Sequence, residues 1–402
     1  MAEFPTGIAY ARARELLAEV AAARRLPVEA LALARCHGRV LAQDIVAPMP
    51  LQPFDNSAMD GYACRHLDAN DGARLRLVGE RFAGPLAELH VGPGECARIT
   101  TGAALPAGAN AVLLREDALA EGDAVVARTA LAAGANVRRA GEDCRTGDTV
   151  LRAGSALSPA QVALAAALGI DRLPVSARPT VAVFTTGDEL VPPGRPLRPG
   201  EIYDANRELL MGLLRAEGLE PTAWPALPDD PGRIQAMLRD AASSFDLVLT
   251  CGGVSAGERD HVPAVLRAHG RVHFWKVWMK PGMPVLAGEL DRAQLLGLPG
   301  NPVSVLATWL ALGRGLVDAM QGRAPRPPGY ARLRQPVAKA HARREFLRGR
   351  LESGPDGIRW VVPDPASGSH RLRAAAEADA LLVLPEGPQA LAAGDVVEVI
   401  GY

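Results

Sequence analysis

Residues 179–321 alternate apolar runs with amphipathic segments, and no other feature of the chain constrains the fold as strongly. The apolar runs predict buried strands at Thr180–Phe184, Asp246–Cys251 and Leu295–Leu298. The amphipathic segments predict helices at Tyr203–Glu217, Pro231–Ser243, Val262–Ala268 and Pro302–Met320. Because strands that alternate with helices form parallel sheets covered on both faces, the centre of the chain is predicted to be a doubly wound, mostly parallel α/β domain.

Short β-like runs separated by Gly and Pro turns lie on both sides of this domain. Within residues 53–139 they predict a β-rich module, with strands at Leu75–Val78, Cys96–Thr100, Ala111–Leu114 and Asp123–Thr129. After a Pro-rich linker at 322–329, residues 330–402 predict a small C-terminal β domain. The remaining segments predict helices over 8–25 and Pro159–Leu168, and a short helix and a strand over 28–47.

Composition excludes several classes of protein. Lys and Arg number 44 against 45 Asp and Glu, which argues against binding nucleic acid or an anionic membrane. The five Cys are odd in number and form no Cys-x-x-Cys, so neither a disulfide framework nor a zinc site is predicted. No secretory pattern starts the chain, and the apolar segment Gln161–Ile170 is too short to cross a bilayer. We expect a cytoplasmic protein with reduced thiols.

Glycine-bearing turns follow the three predicted central strands, at 185–190, 251–260 and 299–302. Ligands of open parallel sheets bind beyond the carboxyl ends of the strands, and glycines let backbone amides face an anion. Asn301 is predicted to cap the last helix and Pro302 to occupy its first position, which leaves amides free for a phosphate. Tight turns also use glycine for structural reasons alone, so a single turn leaves both interpretations open.

Acidic side chains in two of these turns supply oxygens of the kind that Mg²⁺ prefers: Asp188, Glu189, Glu258 and Asp260. Helix capping and solvated loop charge are the alternatives for each of them. No G-x-G-x-x-G precedes a helix and no G-x-x-x-x-G-K-[ST] occurs, which disfavours the common nucleotide-binding motifs.

Only three residues of the chain are Lys, namely Lys276, Lys280 and Lys339. In so Arg-rich a chain, a retained Lys is a candidate for a position that needs a compact ammonium. Lys276 and Lys280 are four residues apart, and on one strand both would point to the same face and reach one anion. Ordinary surface lysines are the alternative, and Trp275 and Trp278 are expected to pack in the core or at its rim.

Seven stretches, in order along nearly the whole chain, resemble signatures of the molybdopterin molybdenumtransferase family, which includes the E domain of gephyrin. They are Phe54–Ala63 (FDNSAMDGYA), Gly141–Asp143 after Arg138, Thr186–Leu190 (TGDEL), Gly200–Asn206 (GEIYDAN), Gly252–Asp260 (GGVSAGERD), Lys276–Gly282 and Gly297–Pro302 (GLPGNP). The resemblance implies insertion of molybdate into adenylylated molybdopterin, with release of AMP, formation of molybdenum cofactor and Mg²⁺ as the helper ion.

The resemblance also implies a homodimer of L-shaped, four-domain subunits with a shared active site. The expected domains are an elongated linking and dimerisation domain (1–47 and 140–176), a β-rich module (48–139), a molybdopterin-binding α/β domain (177–322) and a C-terminal β domain (330–402). Cofactor-synthesis and acceptor enzymes are possible partners, in addition to the small-molecule substrates.

Matching motifs carry the family's functional residues onto this sequence. One subunit would supply Asp60, Thr101, Arg138 and Asp143, and the other the residues of the α/β domain. The expected catalytic residues are Asp60, Asp143, Glu189, Asp229 and Asp260, of which Glu189, Asp229 and Asp260 would also hold the metal. The expected substrate-binding residues are Thr101, Arg138, Gly187, Asp188, Gly252, Gly253, Ser255, Lys276, Lys280, Pro299, Gly300, Asn301, Pro302, Arg344 and Arg348.

Two other functions fit parts of the sequence. A non-catalytic molybdopterin carrier or scaffold would keep the fold without the acidic and Lys set, which is present here. An adenylyltransferase that makes the intermediate would need an ATP site, and the β modules disfavour it because that enzyme is a single small α/β domain.

We predict that Lys276→Arg and Lys280→Arg each impair molybdate insertion, although both variants retain the positive charge. The reason is that a planar guanidinium does not reproduce the contacts of a compact ammonium. Steady-state rates of molybdate insertion check this. Near-normal rates in both variants would mean that compositional bias alone explains where the lysines occur.

Overall fold

A seven-stranded sheet forms the centre of the computed structural model, which describes residues 4–84, 88–255, 260–364 and 368–402. In sheet order, its strands are Thr6–Ile8, Gly270–Val277, Leu286–Leu290, Ala293–Leu298, Leu247–Cys251, Val181–Thr185 and Thr222–Ala223. Every neighbouring pair is parallel except the two pairs formed by Leu286–Leu290. The mostly parallel sheet predicted for this part of the chain is confirmed.

Helices cover both faces of this sheet. Tyr10–Ala23, Ala205–Ala216 and Pro302–Met320 pack on one face, and Pro231–Ser244 and Val262–His269 pack on the other. Successive strand residues point to opposite faces, so Val181 and Val183 join the first core while Ala182 and Phe184 join the second. Strands that are buried on both faces need continuous apolar runs, which is why the sequence shows no alternation there.

The helical stretch Pro302–Met320 is long and apolar enough to cross a membrane by length and composition. In the structure 83% of that stretch is buried, and its middle, around the fully buried Trp309, lies in the core beside the sheet. It is therefore a core helix of the α/β body, which accounts for its apolar sequence.

The N-terminal residues belong to this α/β body. Thr6–Ile8 pairs in parallel with Gly270–Val277, and the helix Tyr10–Ala23 buries Ala13 and Leu17 in the core. The assignment of residues 1–47 as a whole to a linking domain is thus wrong for residues 6–23, because their apolar groups are buried against the sheet.

The linking segment itself is built from short ladders. Val28–Ala32 is a strand that pairs with Arg172–Ser176, and a single turn, Leu33–Arg35, follows it. The short helix predicted within 28–47 is present only as this single 3₁₀ turn, because backbone pairing extends the residues before it, and the strand predicted there is Ile45–Val46. The other elements are the ladder of Ile45–Val46 with Thr149–Leu151 and the helix Pro159–Ala167, which starts in a capping box formed by Ser158 and Gln161.

The β-rich module is a six-stranded sheet in the order Ala111–Leu114, Gly61–Cys64, Glu95–Ile99, Arg74–Arg81, Ala124–Ala127 and Ala118–Glu121. A small ladder of Asn56–Ser57 with Val137–Arg138 lies at its side. A second small ladder, Leu190–Val191 with Ile202–Tyr203, projects from the α/β body.

The C-terminal part is a small closed barrel. Its strands are, in order, Arg344–Ser353, Arg359–Pro363, Gly329–Leu333, Val396–Gly401 and Ala380–Leu384, and the last pairs back with the first. A ladder of Val337–Lys339 with Gln389–Leu391 and the short helix Leu372–Ala376 complete it. Met279–Lys280, from the α/β body, adds a sixth strand in parallel to Arg344–Ser353.

Candidate active site

Strand register brings the three glycine-bearing turns to one level. Thr185 is the register partner of Cys251, which is in turn the partner of Leu298. Beyond the strands, the amide of Thr186 donates to the carbonyl of Cys251 at 3.1 Å, and the amide of Gly252 donates to the carbonyl of Leu298 at 2.9 Å. These bonds continue the ladder by one residue and fix the turns side by side.

A cavity of about 340 Å³ opens between these turns. Nine predicted site residues line it, namely Gly187, Glu189, Asp229, Gly252, Gly253, Ser255, Asp260, Pro299 and Gly300. Thr186, Val254 and Pro284 also line it and were not predicted, although Thr186 lies within the motif that drew attention to this turn. A larger, shallow groove runs along the helix Pro231–Ser244, but it gathers no predicted site residue and contains the ion pair between Arg239 and Asp291.

Glycine is required where two turns touch. Gly252 has a φ of +91°, and a Cβ atom there would lie 2.4 Å from Oγ1 of Thr186. The next residue, Gly253, has a φ of +68°. Backbone in this left-handed region can turn successive amides toward an anion, which is the role predicted for these turns.

The carboxylates of the site have different environments. Glu189 is exposed, whereas Asp229 and Asp260 are half-buried. Asp188, predicted to bind substrate, accepts a 3.4 Å hydrogen bond from the amide of Asp229 and so fastens that turn. Within the described ranges, no three His, Cys, Asp or Glu side chains stand close enough to form a metal site by themselves. Glu258 lies outside the described residues.

A buried aspartate supports the floor of the site. Asp204 accepts a 2.7 Å hydrogen bond from the hydroxyl of Thr185 and forms an ion pair with Arg207 at 3.1 Å. Asn206 donates to the carbonyl of Gly300 at 2.6 Å. These residues were not predicted from the sequence as part of the site. The polar run Asp-Ala-Asn at a helix start was the pattern that could have indicated them.

The start of the helix Pro302–Met320 differs from the prediction. Pro302 occupies the first position, as expected, and Asn301 is at the cap position, but the Asn301 side chain makes no capping bond. Its amide donates instead to the hydroxyl of Ser369 at 3.1 Å, and the carbonyl of Ser369 accepts from the amide of Val303 at 3.3 Å. A segment of the C-terminal part thus occupies this helix end.

The prediction that Lys276 and Lys280 share one strand is wrong. Lys276 has a φ of +67° near the end of Gly270–Val277, and its ammonium lies 4.7 Å from the ring centre of Trp275. Lys280 lies in the short strand that joins the barrel, 2.9 Å from the carboxylate of Glu345. The chain changes sheets between them at Trp278, so the alternation of a single strand does not apply. Trp278 is 45% exposed.

Trp275 connects the Lys276 strand to the cavity. Its indole N–H donates to the carbonyl of Val254 at 2.8 Å, and Val254 is one of the lining residues. The expectation that Trp275 serves packing is consistent with its place against the core.

Arg344 and Arg348, predicted as anion contacts, are engaged in ion pairs within the C-terminal part. Arg344 pairs with Glu386 at 3.2 Å and stacks 4.9 Å from the ring centre of Tyr10. Arg348 is buried and pairs with Asp364 at 3.0 Å. Both arginines therefore already have carboxylate partners in the single chain.

The four residues expected from the other subunit lie on the exposed surface of the β-rich module and of the segment that follows it. Asp60 accepts hydrogen bonds from the amide and the hydroxyl of Thr101, both at 2.8 Å, and these donors hold the pKa of Asp60 below its usual value. Asp60 is therefore a carboxylate at neutral pH. Arg138 and Asp143 are also exposed. The described lining of the cavity includes none of these four residues.

Family models account for most of the chain. The MoeA N-terminal region (domain I and II) matches residues 8–169, the "Probable molybdopterin binding domain" matches 182–319, and the MoeA C-terminal region (domain IV) matches 330–402. Together with the three-turn cavity, these matches indicate a protein of molybdenum cofactor biosynthesis.

Comparison with similar proteins identifies the family of the chain. It is 37% identical to the molybdopterin molybdenumtransferase of Haemophilus influenzae, over 92% of this chain and 93% of the relative. It is 36% identical to that of Synechococcus elongatus, over 98% and 99%. A crystal structure of a MoeA protein from Pyrococcus horikoshii superimposes with a TM-score of 0.84 at 31% identity, covering 98% of this chain and all of that one. The chain belongs to the molybdopterin molybdenumtransferase family, and so to the transferases of molybdenum cofactor biosynthesis.

We predict that Gly252→Ala destabilises the protein more than Gly194→Ala. Both glycines have a φ of +91°, so both variants carry left-handed strain of about 1–2 kcal/mol. Only Gly252→Ala adds a clash, since a Cβ at Gly194 meets nothing within 4 Å. We expect a further loss of about 1–3 kcal/mol, measured by urea unfolding. Equal losses in the two variants would show that the turns at Thr186 and Gly252 are not rigidly packed.

Proposed function

We propose that this enzyme inserts molybdate into adenylylated molybdopterin, cleaves the adenylate and releases AMP and molybdenum cofactor. The observation that carries the proposal is the cavity at the carboxyl edge of the central sheet. It combines glycine turns, whose amides suit phosphate oxygens, with the carboxylates of Glu189, Asp229 and Asp260. A phosphate ligand accompanied by a divalent cation matches this combination.

Positive groups must balance these carboxylates, because carboxylates alone repel molybdate. Lys276 and Lys280, together with the amides of the turn after Pro299, are proposed to neutralise the pterin phosphate and molybdate. As molybdate exchanges oxo groups for the dithiolene sulfurs, each departing oxo group takes up two protons and leaves as water. Carboxylates that hold water or accept protons are suited to that exchange.

Mg²⁺ fits the donor set of the cavity. Mg²⁺ is usually held by one or two carboxylates plus substrate phosphate oxygens and water, rather than by a complete protein cage. Glu189, Asp229 and Asp260 line the cavity without forming such a cage, so a bound phosphate would complete the coordination. When bound, Mg²⁺ would supply charge neutralisation at the phosphate. The residues of this chain would then orient the adenylate against it.

The second acidic group is proposed to come from the other subunit of a cytoplasmic homodimer. Asp60, Thr101 and Arg138 of the β-rich module are exposed, as is Asp143 just beyond it, and none of them lines the described cavity of their own chain. The two hydrogen bonds from Thr101 fix the Asp60 carboxylate in its charged form. This arrangement suits a residue that completes the site of a neighbour.

We predict that the purified protein releases AMP from adenylylated molybdopterin only when molybdate is present. Asp60→Ala should abolish the release, because it removes a carboxylate of the shared site. Asp71→Ala, in the same module and also exposed, is the matched control and should keep wild-type rates. AMP is measured by chromatography of timed samples. Release without molybdate, or full activity of Asp60→Ala, would contradict the proposal.

A mixture of two inactive variants tests the shared site. Asp60→Ala and Asp229→Ala should each be inactive alone, whereas subunit exchange between them should restore about a quarter of wild-type activity. Half of the dimers would then be mixed, and each mixed dimer would have one intact site. No recovery after confirmed exchange would place both carboxylates in the site of a single chain.

A further inference from the structure

A buried carboxylate in the C-terminal barrel contacts one of the site lysines. Oε1 of Glu345 lies 2.9 Å from the ammonium of Lys280, and Oε2 lies 3.1 Å from Nε2 of His341. The Glu345 residue is 8% exposed, whereas the Lys280 side chain is 32% exposed. The cation is therefore open to solvent on one side and held by the barrel on the other.

The backbone beneath Lys280 has little freedom to move. Met279 and Lys280 pair in parallel with Arg344 and Glu345, which places the ion pair on a fixed ladder. Two residues further on, Gly282 has a φ of +100°, and a Cβ there would lie 2.3 Å from Cγ2 of Thr308. Because the main chain is packed on both sides, the position of the ammonium depends on what its flexible side chain contacts.

A buried carboxylate is costly unless a cation or donors accompany it. Lys339 lies near Glu345, but its ammonium donates to the carbonyls of Arg343 and Pro385. Lys280 therefore provides the close ammonium for Glu345, and Glu345 in turn restricts where that ammonium can lie.

We propose that Glu345 is a positioning residue, which holds the Lys280 ammonium in the orientation that the anionic substrate meets. This inference rests on the proposed function, in which Lys280 faces phosphate or molybdate. It assigns to the C-terminal barrel a direct part in preparing the site of the α/β body. Glu345 itself acts through Lys280 and does not contact the reacting atoms.

The test uses the scarcity of lysine in this chain. Brief labelling of the full-length protein with acetic anhydride, followed by peptide mass spectrometry, reports the three lysines separately. Glu345→Gln should increase the labelling rate of Lys280 relative to Lys276 by about two- to fivefold, the range for loss of one partly exposed ion pair. Glu352→Gln is the matched control, because Glu352 is on the same barrel strand and pairs with Arg350 instead.

The kinetic arm measures molybdate-dependent AMP release. Glu345→Gln should lower kcat/KM by about tenfold, through misplacement of a binding group, and Glu345→Asp should recover part of the loss because it restores the charge.

Unchanged Lys280 labelling in Glu345→Gln would overturn the proposal, as would an equal change in Glu352→Gln. If Glu345→Gln does not fold, the same comparison is made with Glu345→Ala, which also removes the carboxylate, and wild-type labelling of Lys280 in that variant would overturn the proposal. If the wild type releases no AMP, the proposed function fails. The labelling result still tests whether Glu345 holds the ammonium of Lys280.

Discussion

The register of three central strands is the constraint on which the rest of the structure depends. Thr185, Cys251 and Leu298 are partners across those strands, so the chain leaves all three at one level. Backbone bonds at Thr186 and Gly252 carry the ladder one residue further, into the turns. Because the strands are buried on both faces, the turns are anchored by the whole α/β core rather than by contacts of their own. The cavity is thus a consequence of sheet geometry, and the glycines are what allow the turns to touch.

The α/β body and the C-terminal barrel are joined by directional contacts as well as by apolar packing. Within the α/β body, the hydroxyl of Tyr10 donates to the carbonyl of Ala311 at 2.9 Å, and this bond holds a ring that lies against Arg344 of the barrel. In the linker, Arg326 pairs with Asp318 at 2.7 Å and also with Glu217. Contacts of this kind hold the junction in one geometry. Residues at the junction are therefore positioned by contacts with both the α/β body and the barrel, and so is any site formed there.

Local sequence patterns predicted the elements whose formation depends on residues close together in the chain. The helix Pro302–Met320 was predicted with its observed bounds, because Asn-Pro favours a helix start and an apolar period continues from it. Eight cavity residues lie in the turns predicted to meet at one edge, since parallel strands deliver their ends there, whereas Asp229 was expected only from the family resemblance. Long-range pairing was not predictable in this way. The three-residue strand Thr6–Ile8 carries too little pattern, and its partner lies more than 260 residues away. The prediction that Lys276 and Lys280 share one strand failed for the same reason, because the chain leaves the central sheet and joins the barrel between them.

The three lysines show that composition alone can single out positions but cannot assign their roles. Lys276 lies over the ring of Trp275, Lys280 beside the carboxylate of Glu345, and Lys339 against two barrel carbonyls. Burial lowers the pKa of Lys339, and its ammonium is compact enough to donate to both carbonyls inside the barrel. A planar guanidinium is larger and has a fixed fork, so it would not fit that space in the same way. The surroundings of Lys339 thus favour a compact cation, whereas the need for an ammonium at Lys276 and Lys280 stays a prediction. At Lys339 the compact ammonium serves packing, whereas Lys276 lies over Trp275 and Lys280 pairs with Glu345, so only their spatial surroundings separate these positions.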